Sequence, residues 1–324
     1  MNIEILTQNV ETGKIYDITE LVSTITLEQS IEGEAGYIEF SFKDIFNKEY
    51  IVEGSSISLK VNGLGIFWGY VFKISESEKN EIKIKAYDQL RYFKSKDTYV
   101  FSNMTCIDIF KKICNDYNIK FNVIATTNHI LEQRIHDNKT LADIVQFGFD
   151  RTIIDTKKWL FMRDNFGTLE VLDVNSEKTK IVIGDESLLS TYSLERSIEE
   201  SYNQVKLIRE DKEKKKREIY ITKDSNNIKK WGLLQFSEKV DEKMNDAQIK
   251  ERADALLKKY NKVNKTLNLR DCIGDFRVKA GTGVVIAIKA LEGKIPYEKY
   301  ALVTKVKHTI SNCKHIMNIE VKFE

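Results

Sequence analysis

Strict alternation of apolar and polar residues in short runs constrains this chain more than any other feature. Ile38, Phe40 and Phe42 alternate with Glu39, Ser41 and Lys43, and Ile57, Leu59 and Val61 alternate with Ser56, Ser58 and Lys60. A two-residue period is the pleat of a β-strand with one buried face. Asn62-Gly63 then supplies the positive φ angles of a tight hairpin turn before a second run at 66–74. Several short strands with polar turns between them predict an antiparallel sheet that closes into a barrel or sandwich over the first hundred residues.

The period changes near residue 103. Cys106, Ile109, Phe110, Ile113, Cys114 and Tyr117 share one face of a helix, and Thr105 with Asp108 forms a capping box at its start. Thr140 and Asp143 repeat that opening, with Leu141, Ile144, Val145 and Gly148 along the inner face. A hairpin is expected over 159–174, turning at Asp164-Asn165-Phe166-Gly167. Strands return near residue 179, and REDKEKKKRE at 209–218 reads as a charged hairpin tip. A helix over 246–260 buries Ile249, Ala253, Leu256, Leu257 and Tyr260, with Asn245 and Gln248 at its start. The chain closes on a strand in which Met317, Ile319, Val321 and Phe323 face one way. This order suggests that 180–225 and 262–324 combine into a second β-unit.

Composition excludes several classes. With 324 residues the chain can bury roughly three quarters of its unfolded surface. Pro296 is the one proline where average usage gives about sixteen, so proline-rich linkers are excluded. Lys plus Arg number 51 against 49 Asp plus Glu, so no global field draws the chain to nucleic acid or to a membrane. Glu4 lies between Ile3 and Ile5, so no signal peptide is expected, and the longest apolar stretch, 284–288, is far too short to span a bilayer. Cys106 and Cys114, eight residues apart on one helix, lie about 12 Å apart, too far for a disulfide. Buried free thiols are expected.

Catalytic fingerprints are missing from the sequence: there is no Gly-x-Ser-x-Gly, His-Glu-x-x-His or Gly-x-x-x-x-Gly-Lys-Ser/Thr. His308, Cys313 and His315 around the last turn are the one grouping with ligand character, and a solvated turn with three donors makes a poor zinc site, so neither metal nor cofactor is expected. His129 and His136 read as surface residues. The cations Lys212, Lys214, Lys215, Lys216 and Arg217 could meet phosphate or an acidic partner. Acids flank them and no aromatic interleaves to stack bases, so a partner-contact loop is expected and specific nucleic-acid binding is not.

Residues 86–101, AYDQLRYFKSKDTYVF, join an alternating strand to a dense Tyr/Asp/Arg/Lys cluster. Asp88 ends the strand and can cap the following turn. Arg91 falls within reach of its carboxylate if that turn is helical, so a corner held by an ion pair is expected. This stretch resembles the corresponding part of the baseplate hub proteins of contractile phage tails, the XkdQ-like and late control protein D group. WGLLQFSEKVDEKMND at 231–246, NKTLNLRDCIGDFRVKAGTGV at 264–284 and the closing hairpin resemble the same family. The motif residues are Tyr87, Asp88, Arg91, Trp231, Asp241, Gly274 and Asp275.

The resemblance implies an α+β, mainly β fold. It has two tail-tube-like antiparallel β-barrel domains, at 1–100 and 179–324, a small inserted α/β domain at 101–178, and a helix before the closing strands. It also implies a non-enzymatic homotrimeric ring that adapts a hexameric tail tube to a trimeric spike and nucleates tube assembly. Such a ring would sit in the baseplate of a phage or phage-tail-like bacteriocin and be assembled in the bacterial cytoplasm. The base of type VI secretion spike proteins is similar. Its partners would be tail tube protein, spike protein and other baseplate proteins, with no membrane contact. A peptidoglycan-hydrolysing or wall-binding tail protein is the alternative.

Overall fold

Seven strands open the chain: β1 (Ile3–Gln8), β2 (Ile15–Asp17), β3 (Thr24–Ser30), β4 (Tyr37–Lys43), β5 (Ser56–Val61), β6 (Leu64–Glu76) and β7 (Glu81–Tyr87). A 3-10 turn (Gln89–Lys94) leads to β8 (Lys96–Phe101), α1 (Cys106–Asp116), β9 (Phe121–Val123), β10 (Arg134–Thr140), α2 (Leu141–Thr156), β11 (Leu160–Asp164) and β12 (Leu169–Asp173). Then come β13 (Lys178–Gly184), β14 (Thr191–Ser197), β15 (Gln204–Asp211), β16 (Lys216–Lys223), α3 (Ser225–Trp231), β17 (Gln235–Val240) and α4 (Asp246–Tyr260). The chain ends on β18 (Asn264–Ile273), β19 (Gly283–Ala287), β20 (Lys299–Ser311) and β21 (Lys314–Lys322). The computed structural model describes every residue except Glu32, 44–49, Lys79, 212–215, Asp241, Lys243, Cys313 and Glu324, and only the backbone of Ile154, Asp155 and Asp211.

Local chemistry sets most of these elements. In β4 each apolar residue is buried and each polar one lies toward solvent, as the alternation requires. Asn62 (φ 51°) and Gly63 (φ 79°) make the tight turn between β5 and β6. Thr105 and Asp108 close a reciprocal capping box on α1, Asn245 and Gln248 do so on α4, and the Thr140 hydroxyl accepts the Asp143 N–H at the start of α2.

A single 13-stranded sheet carries both ends of the chain, in the order β14-β18-β21-β20-β3-β4-β7-β6-β5-β1-β2, with β13 and β19 joined to it through β20. Every described pairing in it is antiparallel except β13 with β19. The two halves meet where β20 pairs with β3, from Lys305↔Ser30 to Ser311↔Thr24. At Thr304 the register of β20 shifts, the strand leaves β19, and its hydroxyl binds Glu320 at 2.6 Å. Val303 and Val306 therefore lie in the core of the C-terminal half, whereas Ile310 lies in that of the N-terminal half.

The N-terminal core takes residues from β1, β3, β4, β5, β6 and β7, among them Ile5, Ile38, Ile57, Leu59 and Ile84, all fully buried. Among the described residues no α-helix contributes to it. Each such side chain contributes roughly 1.5–3 kcal/mol of burial. A second core gathers residues of β13, β18, β19, β20 and β21, with Ile183, Leu267, Val284 and Val321 fully buried.

Two stretches leave the large sheet. In the first, α1 and α2 pack on β9, β11 and β12 around Phe110, Ile113, Ile144 and Val145. In the second, β16-β15-β17 form their own sheet, covered by Ile249, Ala253 and Leu256 of α4. The expected union of 180–225 with 262–324 is thereby corrected. β13 and β14 join the C-terminal strands, but β15 and β16 do not, because Val205 and Leu207 find their cover on α4. Among the described residues no helix is long and apolar enough to cross a membrane.

Candidate functional site: a buried acidic joint

Asp88 stands where three parts of the chain meet. Its Oδ1 accepts the Leu90 N–H at 3.0 Å, capping the 3-10 turn, and its Oδ2 accepts the Gly36 N–H at 2.9 Å from the entry to β4. A side chain on Gly36 would start 2.5 Å from Asp88 Oδ2, so only glycine lets the carboxylate approach. From the inserted unit the β11–β12 turn comes in: Asp164 Oδ1 accepts the Gly167 N–H at 2.7 Å, and Gln89 Nε2 donates to the Gly167 carbonyl at 3.0 Å. Phe166 packs on Gly65 and Gly167 packs on Trp68, seating the turn on β6. Asp88, Asp164, Gly36, Ser30 and Ala280 line a cavity of about 10 Å³, room for about one water.

The expected Asp88–Arg91 ion pair does not form. Arg91 lies over the Phe72 ring, 5.1 Å from its centroid, while Asp88 is 4% exposed and turned inward. A 3-10 turn carries the two side chains apart, where an α-helical turn would have stacked them. Burial, followed by the charge of Asp164, pushes the Asp88 carboxyl well above its usual range; burial also pushes Asp164 up, to about 7. Tyr87 braces the corner through ring contacts with Tyr37 and Phe72.

The other motif residues occupy separate places. Gly274 seats the ring of His315, which would lie 2.2 Å from any Cβ there, and donates its N–H to the His315 carbonyl at 2.9 Å. Asp275 is held below the usual carboxylate range by the side-chain hydrogen bond from Arg277. His308 Nδ1 and His315 Nε2 lie 3.0 Å apart, so one donates to the other, and His308 Nε2 lies 3.0 Å from the Val278 carbonyl. Two nitrogens that bind each other do not converge on an ion. Among the described residues no group of His, Cys, Asp or Glu is arranged as metal ligands, and Cys313 lies outside them. His136 corrects the surface reading: it is 7% exposed, its ring against Phe101 and Phe147.

Trp231 ends α3, half-buried, and Asp241 lies outside the described residues. Of the basic run, Lys212, Lys214 and Lys215 also lie outside them. Lys216 and Arg217 belong to β16, where Lys216 lies 3.4 Å from Glu218 and Arg217 pairs with Glu210. Acids in the adjoining ladder thus neutralise part of that charge.

Sequence reading missed two features. Asp164 passed as a turn residue. Between the two excursions, Glu238 of β17 takes Arg151 of α2 and, at 3.1 Å, Arg252 of α4, and Glu132 stands 3.5 Å from Arg151. Arg252 follows Ile249 by three and precedes Leu256 by four, and that spacing on an apolar stripe was a usable signal.

The YQBQ-like family matches residues 25–322. The chain belongs to that family. It is 29% identical over 273 residues to the phage-like element PBSX protein XkdQ of Bacillus subtilis, covering 84% of this chain and 82% of that protein. The fold matches that of the tail protein from Neisseria meningitidis MC58 with a TM-score of 0.72 at 13% identity, over all of this chain and 97% of the other. It also matches the 43 kDa tail protein of prophage MuSo2 from Shewanella oneidensis, with a TM-score of 0.69 at 16% identity over 98% of both chains. This chain thus shares its fold with those two tail proteins.

Proposed function

We propose that this chain is a structural component of the baseplate of a phage tail or phage-tail-like particle, and that it acts there as the hub. Three copies form a ring. Each contributes two barrel-like units, one from β1–β7 and one from β13, β14 and β18–β21, so that six units face a hexameric tube while the threefold axis accepts a trimeric spike. The observation that carries this reading is the pairing of β3 with β20, which joins two separately cored halves of one sheet side by side in one polypeptide. Names of relatives point the same way: a phage-like element protein and tail proteins. The role is mechanical, since the sites described are joints of buried side chains.

A ring also protects the free edges at β14 and β2, which otherwise offer unpaired backbone to any chain. The basic hairpin tip, with Lys216 and Arg217, is the proposed contact with other baseplate proteins. Native mass measurement and electron microscopy test the reading: three copies per ring, with six similar lobes, are expected, and any other stoichiometry in assembled particles refutes it. The wall-hydrolase alternative predicts release of muropeptides from peptidoglycan, and the hub predicts none.

A further inference from the structure

Of the four carboxylate oxygens of Asp88 and Asp164, three accept a backbone N–H: Asp88 Oδ1 from Leu90, Asp88 Oδ2 from Gly36 and Asp164 Oδ1 from Gly167. The fourth, Asp164 Oδ2, is sealed from solvent and has no partner within hydrogen-bonding distance. Asp164 is 8% exposed, and it lines the same small cavity as Asp88. An ionised oxygen in that position would be a buried charge without a donor, whereas protonation makes it neutral and leaves only an uncharged hydroxyl, whose burial costs far less.

The surrounding charges do not supply a counter-ion. On β11, Arg163 lines the same cavity, and its Nε and Nη1 are sealed without an acceptor, so neither reaches Asp164 Oδ2; its Nη2 is directed to Glu177 at 2.9 Å and stands 4.0 Å from Glu170 of β12. Lys279, before Ala280, has Glu170 and Glu177 for its acidic neighbours and is itself pushed down by burial. On the 3-10 turn Arg91 faces Phe72, and on β3 Glu28 is held by Lys305 at 2.7 Å.

We propose that Asp88 and Asp164 form a proton-binding site that holds one proton at neutral pH, carried on Asp164 Oδ2, and that this proton lets the N-terminal sheet, the β11–β12 turn and the segment before β19 pack at one point. The inference concerns the chain itself and stands apart from the tail reading. Burial raises both carboxyls, Asp88 well above its usual range and Asp164 to about 7, against the opposing pull of backbone amides; placing the proton on Asp164 rests on the geometry, since both Asp88 oxygens already accept an N–H. A carboxyl that is protonated in the fold but ionises at its ordinary range when unfolded contributes stability fully below that range. Its contribution fades as pH rises toward the folded value, so the joint is tight in mild acid and loosened in alkali.

Infrared difference spectra of the full chain between about pH 6 and pH 9 test this directly. A protonated-carboxylic-acid carbonyl band is expected at the acid end, shifted by ¹³C-aspartate labelling of the unaltered chain, lost at the alkaline end and missing from Asp164→Asn. Thermal melting of the same samples should fall toward the alkaline end in the unaltered chain and much less in Asp164→Asn. Should that variant fail to fold, the labelled unaltered chain still decides. Absence of the band, its survival in Asp164→Asn, or a rise in melting temperature on adding calcium or potassium that Asp164→Asn abolishes would overturn the proposal, the last by making the ligand a cation.

Discussion

Glu238→Ala should be among the most damaging single substitutions in this chain. One carboxylate, 17% exposed, serves two guanidinium groups that are 9% and 8% exposed and come from different helices, Arg151 on α2 and Arg252 on α4. Truncation leaves Arg151 with Glu132 at 3.5 Å and leaves Arg252 without a carboxylate among the described residues. The Nε atoms of both arginines already lack an acceptor, so neither guanidinium is fully satisfied even with Glu238 in place. A buried charge stripped of its partner costs about 3–5 kcal/mol, and that is the expected loss. Glu238→Gln keeps an acceptor but not the charge and should cost about 1–3 kcal/mol. Urea unfolding, combined with amide hydrogen exchange over 204–260, measures both and locates the loss. Adding Arg252→Met to Glu238→Ala should recover much of it, since position 252 lies on an apolar stripe and the uncompensated charge is gone. A loss below about 1 kcal/mol with unchanged exchange would mean that the arginines are effectively solvated, and would refute the account.

Three further outcomes follow from the corners. Burial holds His308 neutral and lowers its pKa to about 4, so the unfolded chain binds a proton first and stability falls with pH between roughly 6.5 and 4, by about 3 kcal/mol. His308→Gln should remove that slope, measured as the difference from the unaltered chain because the acidic joint slopes the opposite way in an overlapping range. Asp88→Ala strips the Gly36 and Leu90 amides of their acceptor and should cost about 1–3 kcal/mol. Arg91→Ala loses only a ring contact, about 0.5–1 kcal/mol, and coupling between the two in a double-mutant cycle would revive the ion pair.

Local readings held where the competing forces were local. The alternation of β4, the Asn62-Gly63 turn, and the start and buried face of α1 and α4 depend on neighbours a few residues away, and each is legible from residue type alone. Readings failed where a partner came from afar. Asp88 and Asp164 are separated by 76 positions, and nothing in either segment says that they share a cavity. His136 looked solvated because its neighbours are polar, yet α2 brings Phe147 over its ring.

The sequence alone determined the alternating strands such as β4 and β5, the helices α1 and α4 with their caps, and which face each buries, because period and cap chemistry act within a turn or a pleat; α3 with its Asp224 cap was not read from it. Only the tertiary structure decided that β15 and β16 leave the large sheet for α4, that β20 changes partners at Thr304 to meet β3, and that Asp88 faces Asp164 rather than Arg91. A buried face specifies that it must be covered. Which surface covers it depends on the sum of long-range contacts, and these exist only once the whole chain has closed.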